Sequence, residues 1–145
     1  TDRIPCGESV EESFKKTNDL LKTYPNLKGI VGFGSLGPIG AAQALKKKGP
    51  SGAVAVVGTV IPSHAAPSLK DGYITHGYLW DPADAGYAMV AVAKAMLDKQ
   101  EIKEGQEIKG LGAVKIVTDP DTKGKVITFD KILDITAESA GKLGF

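Results

Sequence analysis

The sequence predicts an α/β fold, a parallel sheet flanked by helices. Three observations carry this. Apolar runs at residues 29–32, 53–58 and 74–79 alternate with helical patterns. The first two are continuous and rich in β-branched residues, as expected of strands buried on both faces of a parallel sheet. Each run ends in a loop: Phe33-Gly34-Ser35, Thr59-Val60 and Trp80-Asp81. Ligands of open parallel sheets lie beyond the carboxyl ends of the strands, so these loops mark one candidate crevice.

The elements follow in order. Ser9 and Glu12 form a capping box. Val10, Phe14, Thr17, Leu21 and Tyr24 then recur at helical spacing until Pro25 stops the helix. Pro38 suits the first turn of a second helix reaching about Lys48. There Lys46-Lys47-Lys48 meet the negative end of the helix dipole. Gly49-Pro50-Ser51-Gly52 is a turn, and residues 63–70 form a short helix ended by Asp71-Gly72. Asp81 as N-cap, Pro82 as first residue and Asp84 in the first turn begin a long helix to about Lys99. Between Ala85 and Leu97 only Lys94 is charged. A helix apolar nearly all round wants burial on most of its surface, more than one small sheet provides. Residues 101–110 read as a polar connector. Residues 113–117 and 125–129 read as strands around a turn at Asp119-Pro120-Asp121. Residues 132–135 read as a further extended piece, and 138–145 as a short helix or tail.

The 145 residues suffice for one domain with a real core. With 42% apolar residues, 24% charged and net charge +1, the chain gives no electrostatic case for nucleic acid or an anionic membrane. No apolar stretch reaches the ~20 residues that span a bilayer. The chain opens on Thr1 without Met, as a mature or trimmed piece would. Cys6 is the only cysteine. It offers no internal disulfide and no thiolate metal site, and reads as a small buried or part-buried residue.

Gly32, Gly34 and Gly37 match G-x-G-x-x-G between a strand and a helix, the arrangement of a dinucleotide-binding turn. Against that reading, residues 38–70 contain no Asp or Glu to hold ribose hydroxyls. Pro38 also removes one N–H that would face a pyrophosphate. Two other readings stand beside it: glycines required by a tight turn, or a loop approaching a small neutral ligand with its backbone and Ser35. No catalytic set emerges. Ser35, Ser63 and Ser68 lack a nucleophile elbow, His64 and His76 read as a surface and a strand residue, and no metal-ligand spacing occurs. Trp80 reads either as a core plug at the sheet end or as a plate for the apolar face of a sugar ring, with Asp81 accepting hydroxyl protons. Phe33 has the same two readings. Asp81 is also fully explained as an N-cap.

Several stretches resemble one family: residues 20–30, Gly40-Ala41-Ala42-Gln43-Ala44-Leu45, Val56-Val57-Gly58, and above all Gly77-Tyr78-Leu79-Trp80-Asp81-Pro82 with Gly86. The final Gly141-Lys142-Leu143-Gly144-Phe145 also fits. The chain resembles the carboxyl-terminal portion of type I periplasmic sugar-binding proteins of ABC transporters, in the branch with ribose-, rhamnose- and autoinducer-2-binding members. The resemblance implies two α/β lobes joined by crossing segments, with ligand held between them. This chain would lack the first lobe and the opening strand and helix of the second. Residues 1–81 would be the second-lobe ligand-binding region. Residues 82–118 would be a crossover helix and strand that pack on the missing first lobe or on a second copy of the chain, the helix spanning 82–99. Residues 119–145 would be crossing strands and a tail.

The resemblance also suggests site residues. Phe33, Gly34 and Ser35 match a ligand-lining loop, Thr59 and Val60 a loop that often carries Asp, and Trp80 a position often held by Gln, with Asp81 following. Val60 brings no carboxylate, and Phe33 stands where autoinducer-2 binders tend to have Pro. Both departures favour a less polar sugar or sugar-like signal. The implied partners are that ligand and an ABC permease at the membrane, without nucleic acid, metal or cofactor. The implied setting is periplasmic or extracytoplasmic and the activity non-enzymatic. The competing readings are an NAD(P)-dependent oxidoreductase domain using Gly32, Gly34 and Gly37, and the effector domain of a transcriptional regulator, since repressors reuse this fold.

Overall fold

Ser9 caps the first helix, while the Glu12 carboxylate, expected to complete a capping box, binds Lys15 instead. In the computed structural model, which describes residues 3–144, the Ser9 hydroxyl accepts from the Glu12 N–H at 3.2 Å and α1 runs over Val10–Thr23. Then follow β1 (Gly29–Gly32), α2 (Gly37–Lys46), β2 (Ala55–Thr59), α3 (Pro62–Lys70) and β3 (His76–Leu79). These strands pair in parallel, with Gly29 opposite Ala55 and Val57 opposite His76. A late strand, β8 (Leu133–Ile135), joins beside β3, so the sheet order is β1-β2-β3-β8. The α/β reading therefore holds. Burial of the first strand on both faces does not: β1 is the sheet edge and Val31 is 61% exposed, whereas Val56 in β2 lies in the core.

The crossing of α1 and α2 selects small residues. A Cβ on Gly40 would lie 2.6 Å from the Ser13 Cβ and 2.8 Å from the Phe14 nitrogen. Backbones that close leave no room for a bulky stripe, so Ser13 and Thr17 are the buried residues of α1, and the Ser13 hydroxyl donates to the Gly37 carbonyl at 2.6 Å. At the far end of α2 the lysines meet the helix terminus as expected. Lys46 Nζ stands 2.7 Å from the Asp71 carboxylate, and this hydrogen bond and charge hold Asp71 below the usual carboxylate range. Lys47 Nζ lies 4.8 Å from the centre of the Phe14 ring.

Described residues up to Leu79, with those from Asp134 on, form one compact unit; Trp80–Leu133 form a second. The second unit holds α4 (Pro82–Leu97) and two small antiparallel pairs. One joins β4 (Glu107–Ile108) to β5 (Gly112–Ala113), and the other joins β6 (Lys115–Thr118) to β7 (Lys125–Thr128). The connector at 101–110 thus contains a two-residue strand, too short for any periodicity to betray. The strand expected at 113–117 is divided around buried Val114. No residue of α4 is buried. The described residues of the 138–145 segment form turns rather than a helix. There Thr136 and Ser139 exchange hydrogen bonds through their hydroxyls, at 2.9 and 3.2 Å.

Asp119 organises the β6–β7 turn. Its carboxylate accepts from the N–H and hydroxyl of Thr122 at 2.6 and 2.9 Å, and from the Asp121 N–H at 3.0 Å. The hydrogen bonds from Thr122 dominate and lower its pKa below the ordinary 3.8. A depressed carboxyl stabilises the folded turn above the unfolded value, and this contribution is lost as pH falls through the lower folded value. Acidification below about pH 4 is expected to shift the Asp121 and Thr122 amide resonances toward unstructured positions. In Asp119→Asn the same amides should stay unmoved over that range.

Candidate functional site

The sheet brings two of the predicted loops to one edge. Gly32 pairs with Gly58 across β1 and β2, and Thr59 pairs with Tyr78 across β2 and β3. Phe33 follows Gly32 directly, so Phe33 and Thr59 leave adjacent strands at the same level. Phe33 is 85% exposed; Gly34, Ser35 and Thr59 are half-buried. Val60 is a correction. Its N–H continues the sheet by donating to the Tyr78 carbonyl at 3.2 Å, and its side chain lies wholly in the core. Only its backbone could meet a ligand.

The glycine loop has a steric rationale. Gly34 adopts φ +97°, a left-handed conformation that favours glycine. A Cβ on Gly32 would lie 2.6 Å from the Pro38 ring, so the glycine seats the first turn of α2 on β1. The Gly37 N–H closes the turn onto the Gly34 carbonyl at 3.3 Å. One acid stands here that the strand-end reading passed over. The Glu8 carboxylate packs against Gly34. Its only sequence signal is its place just before the Ser9 cap.

Trp80 and Asp81 belong to the second unit. Trp80 directly follows the last residue of β3 and is 57% exposed. The Asp81 carboxylate accepts from the Ala83 N–H at 2.8 Å, the expected N-cap. Asp84 is bound by Lys131 at 2.9 Å. Within this unit Trp80 and Asp81 line an open groove together with Ala85, Met89, Val126 and Phe129. Phe33, Gly34, Ser35, Thr59 and Val60 are grouped in the first unit, and Trp80 and Asp81 in the second.

Of the two histidines, only His76 has a partner among the described residues. His76 Nε2 lies 3.3 Å from the Asp134 carboxylate, and its ring is tilted against Tyr78 with centroids 4.7 Å apart. His64 is exposed. Among the described residues no group of three His, Cys, Asp or Glu side chains could hold a metal ion, and no helix is long and apolar enough to cross a membrane.

Residues 1–101 match the family model described as periplasmic binding protein domain. The chain belongs to that family. Solved structures with the same fold include a sugar ABC transporter from Actinomyces odontolyticus, 26% identical with TM-score 0.74, matched over 98% of this chain and 45% of that one. LsrB from Clostridium saccharobutylicum, in complex with AI-2, is 22% identical with TM-score 0.73, over 97% and 47%. An ABC transporter solute-binding protein from Clostridium phytofermentas with bound L-rhamnose is 21% identical with TM-score 0.72, over 93% and 45%. This chain therefore spans just under half the length of these proteins.

Proposed function

We propose that this chain is the ligand-holding portion of an extracytoplasmic solute-binding protein that hands a sugar or sugar-like molecule to an ABC permease without changing it chemically. The observation that carries this is Phe33: an aromatic ring left in solvent at the carboxyl end of β1, in a chain of the periplasmic binding protein family. A ring there has little packing role and suits the C–H face of a sugar. Gly34 gives the loop its left-handed turn. The hydroxyls of Ser35 and Thr59 supply hydrogen bonds, and Val60, whose N–H is held by Tyr78, offers its carbonyl alone. In the second unit, taken by itself, Trp80 offers an exposed indole to a sugar ring and Asp81 the carboxylate oxygen that its cap does not use.

The exposed helix α4 supports a cover. Met89, Val90, Met96 and Leu97 are all exposed, a run of apolar surface that ordinarily marks an interface. The unspanned half of the matched proteins favours, as the cover, a first lobe on the same longer protein over a second copy of the chain. Ligand would then shift an equilibrium between open and closed lobes, with the closed form docking on the permease. The test is calorimetry on the protein expressed from its complete gene, with L-rhamnose, D-allose, D-arabinose and furanosyl signals as titrants. Saturable binding of at least one is expected. Silence across the whole panel would overturn the reading.

A further inference from the structure

We infer that Glu8 is a ligand-contacting residue of this crevice, supplying at the β1 end the hydroxyl-accepting carboxylate that the neighbouring strand ends lack. The inference rests on the sugar-binding reading above. Charge-assisted hydrogen bonds are the strong ones, and the loops after β1 and β2 have no acid of their own, since residues 33–70 contain no Asp or Glu.

The fold brings one in from elsewhere. Ser9 caps α1 and Gly40 lets α1 cross α2 closely, so the start of α1 is held beside the loop that joins β1 to α2. There the Glu8 carboxylate packs on Gly34. A Cβ at position 34 would collide with Glu8 Oε1 and stand 3.0 Å from its Cδ. Glycine at 34 thus allows the left-handed turn and leaves space for the acid, between Phe33 and Ser35. Glu8 is exposed, and among the described residues its carboxylate makes no hydrogen bond and no ion pair. The acids one turn on are engaged: Glu11 and Glu12 both bind Lys15, at 2.8 and 3.4 Å. The Asp81 carboxylate is engaged too, as the cap of α4. Among the described residues, then, neither Glu8 oxygen is committed to a hydrogen bond.

A structural role competes. The N-terminus of α2 has no side-chain cap and no acid in its first turn, and a carboxylate near that positive end is favourable in itself. The experiment separates the two roles. Glu8→Gln and Glu11→Gln are made in the complete protein and titrated calorimetrically with whichever of L-rhamnose, D-allose and D-arabinose the unaltered protein binds most tightly, with thermal melts alongside. Losing a charge-assisted hydrogen bond should raise Kd about tenfold or more in Glu8→Gln. Glu11→Gln removes the same charge one turn away and should bind like the parent. A Glu8→Gln protein that binds as tightly as its parent overturns the inference and leaves the sugar reading intact. A lowered melting temperature with unchanged Kd assigns Glu8 to the α2 terminus and also overturns it. If the unaltered protein binds none of the three, the inference fails along with the reading beneath it.

Discussion

Gly58→Ala is expected to destabilise the first unit by about 3 kcal/mol or more, the upper end of what overpacking costs. A Cβ on Gly58 would run into the Gly32 carbonyl oxygen and lie 2.8 Å from the carbonyl carbon and 3.0 Å from the nitrogen of that residue. These neighbours are backbone atoms of a paired strand, so none can swing aside as a side chain would. Against the ~5–15 kcal/mol that holds a domain folded, this is a large fraction. Gly49→Ala is the matched control. No atom lies within 4 Å of a Cβ there, and the change should stay within about 0.5 kcal/mol. Urea denaturation followed by far-UV circular dichroism reads both. An unshifted midpoint for Gly58→Ala would mean that β1 and β2 do not pair in the register described.

Trp80→Ala should raise the Kd of the complete protein for its sugar roughly 10- to 100-fold, the equivalent of ~1.4–3 kcal/mol of lost contact. Its melting temperature should hardly move, because the indole is more than half exposed before ligand arrives. Calorimetry and melting curves together decide the role of this residue. Binding that survives while the melting temperature drops would place Trp80 among the groove-lining side chains beside α4, stabilising a cover rather than gripping a ligand.

The sequence showed what local periodicity and capping chemistry can show. Ser9 with Glu12, and Asp81 with Pro82, mark the starts of α1 and α4 to the residue, because caps are settled by side chains a few positions apart. The apolar belt of α4 was equally legible, and no residue of that helix is buried. What depended on distant partners was not legible. The Ile30-Val31 run looks like an interior strand, and only the pairing order makes it an edge. Val10, Phe14 and Thr17 look like the packing stripe of α1; Thr17 is buried as expected, but the close approach at Gly40 buries Ser13 rather than Val10 or Phe14. Val60 looks like a loop residue until its hydrogen bond to Tyr78 extends the sheet past β2. In the candidate site, Phe33 and Thr59 could be read as strand ends. Glu8 could not, since nothing in the chain between residues 8 and 34 announces that they meet.

The chain leaves the larger unit after Leu79 and re-enters it at Asp134, on the strand next to the one it left. His76 faces Asp134, and Gly77 lies against Ile135. The smaller unit is thus spliced into its host between neighbouring strands, and exit and re-entry lie a few residues apart. With His76 beside Asp134 and Gly77 beside Ile135 the two strands ascend together, so a bridge has to return along the sheet and needs about a dozen residues. Replacing residues 80–132 this way would leave a contiguous polypeptide that keeps all four strands of the sheet. Such a deletion would test whether the host sheet folds without its insert.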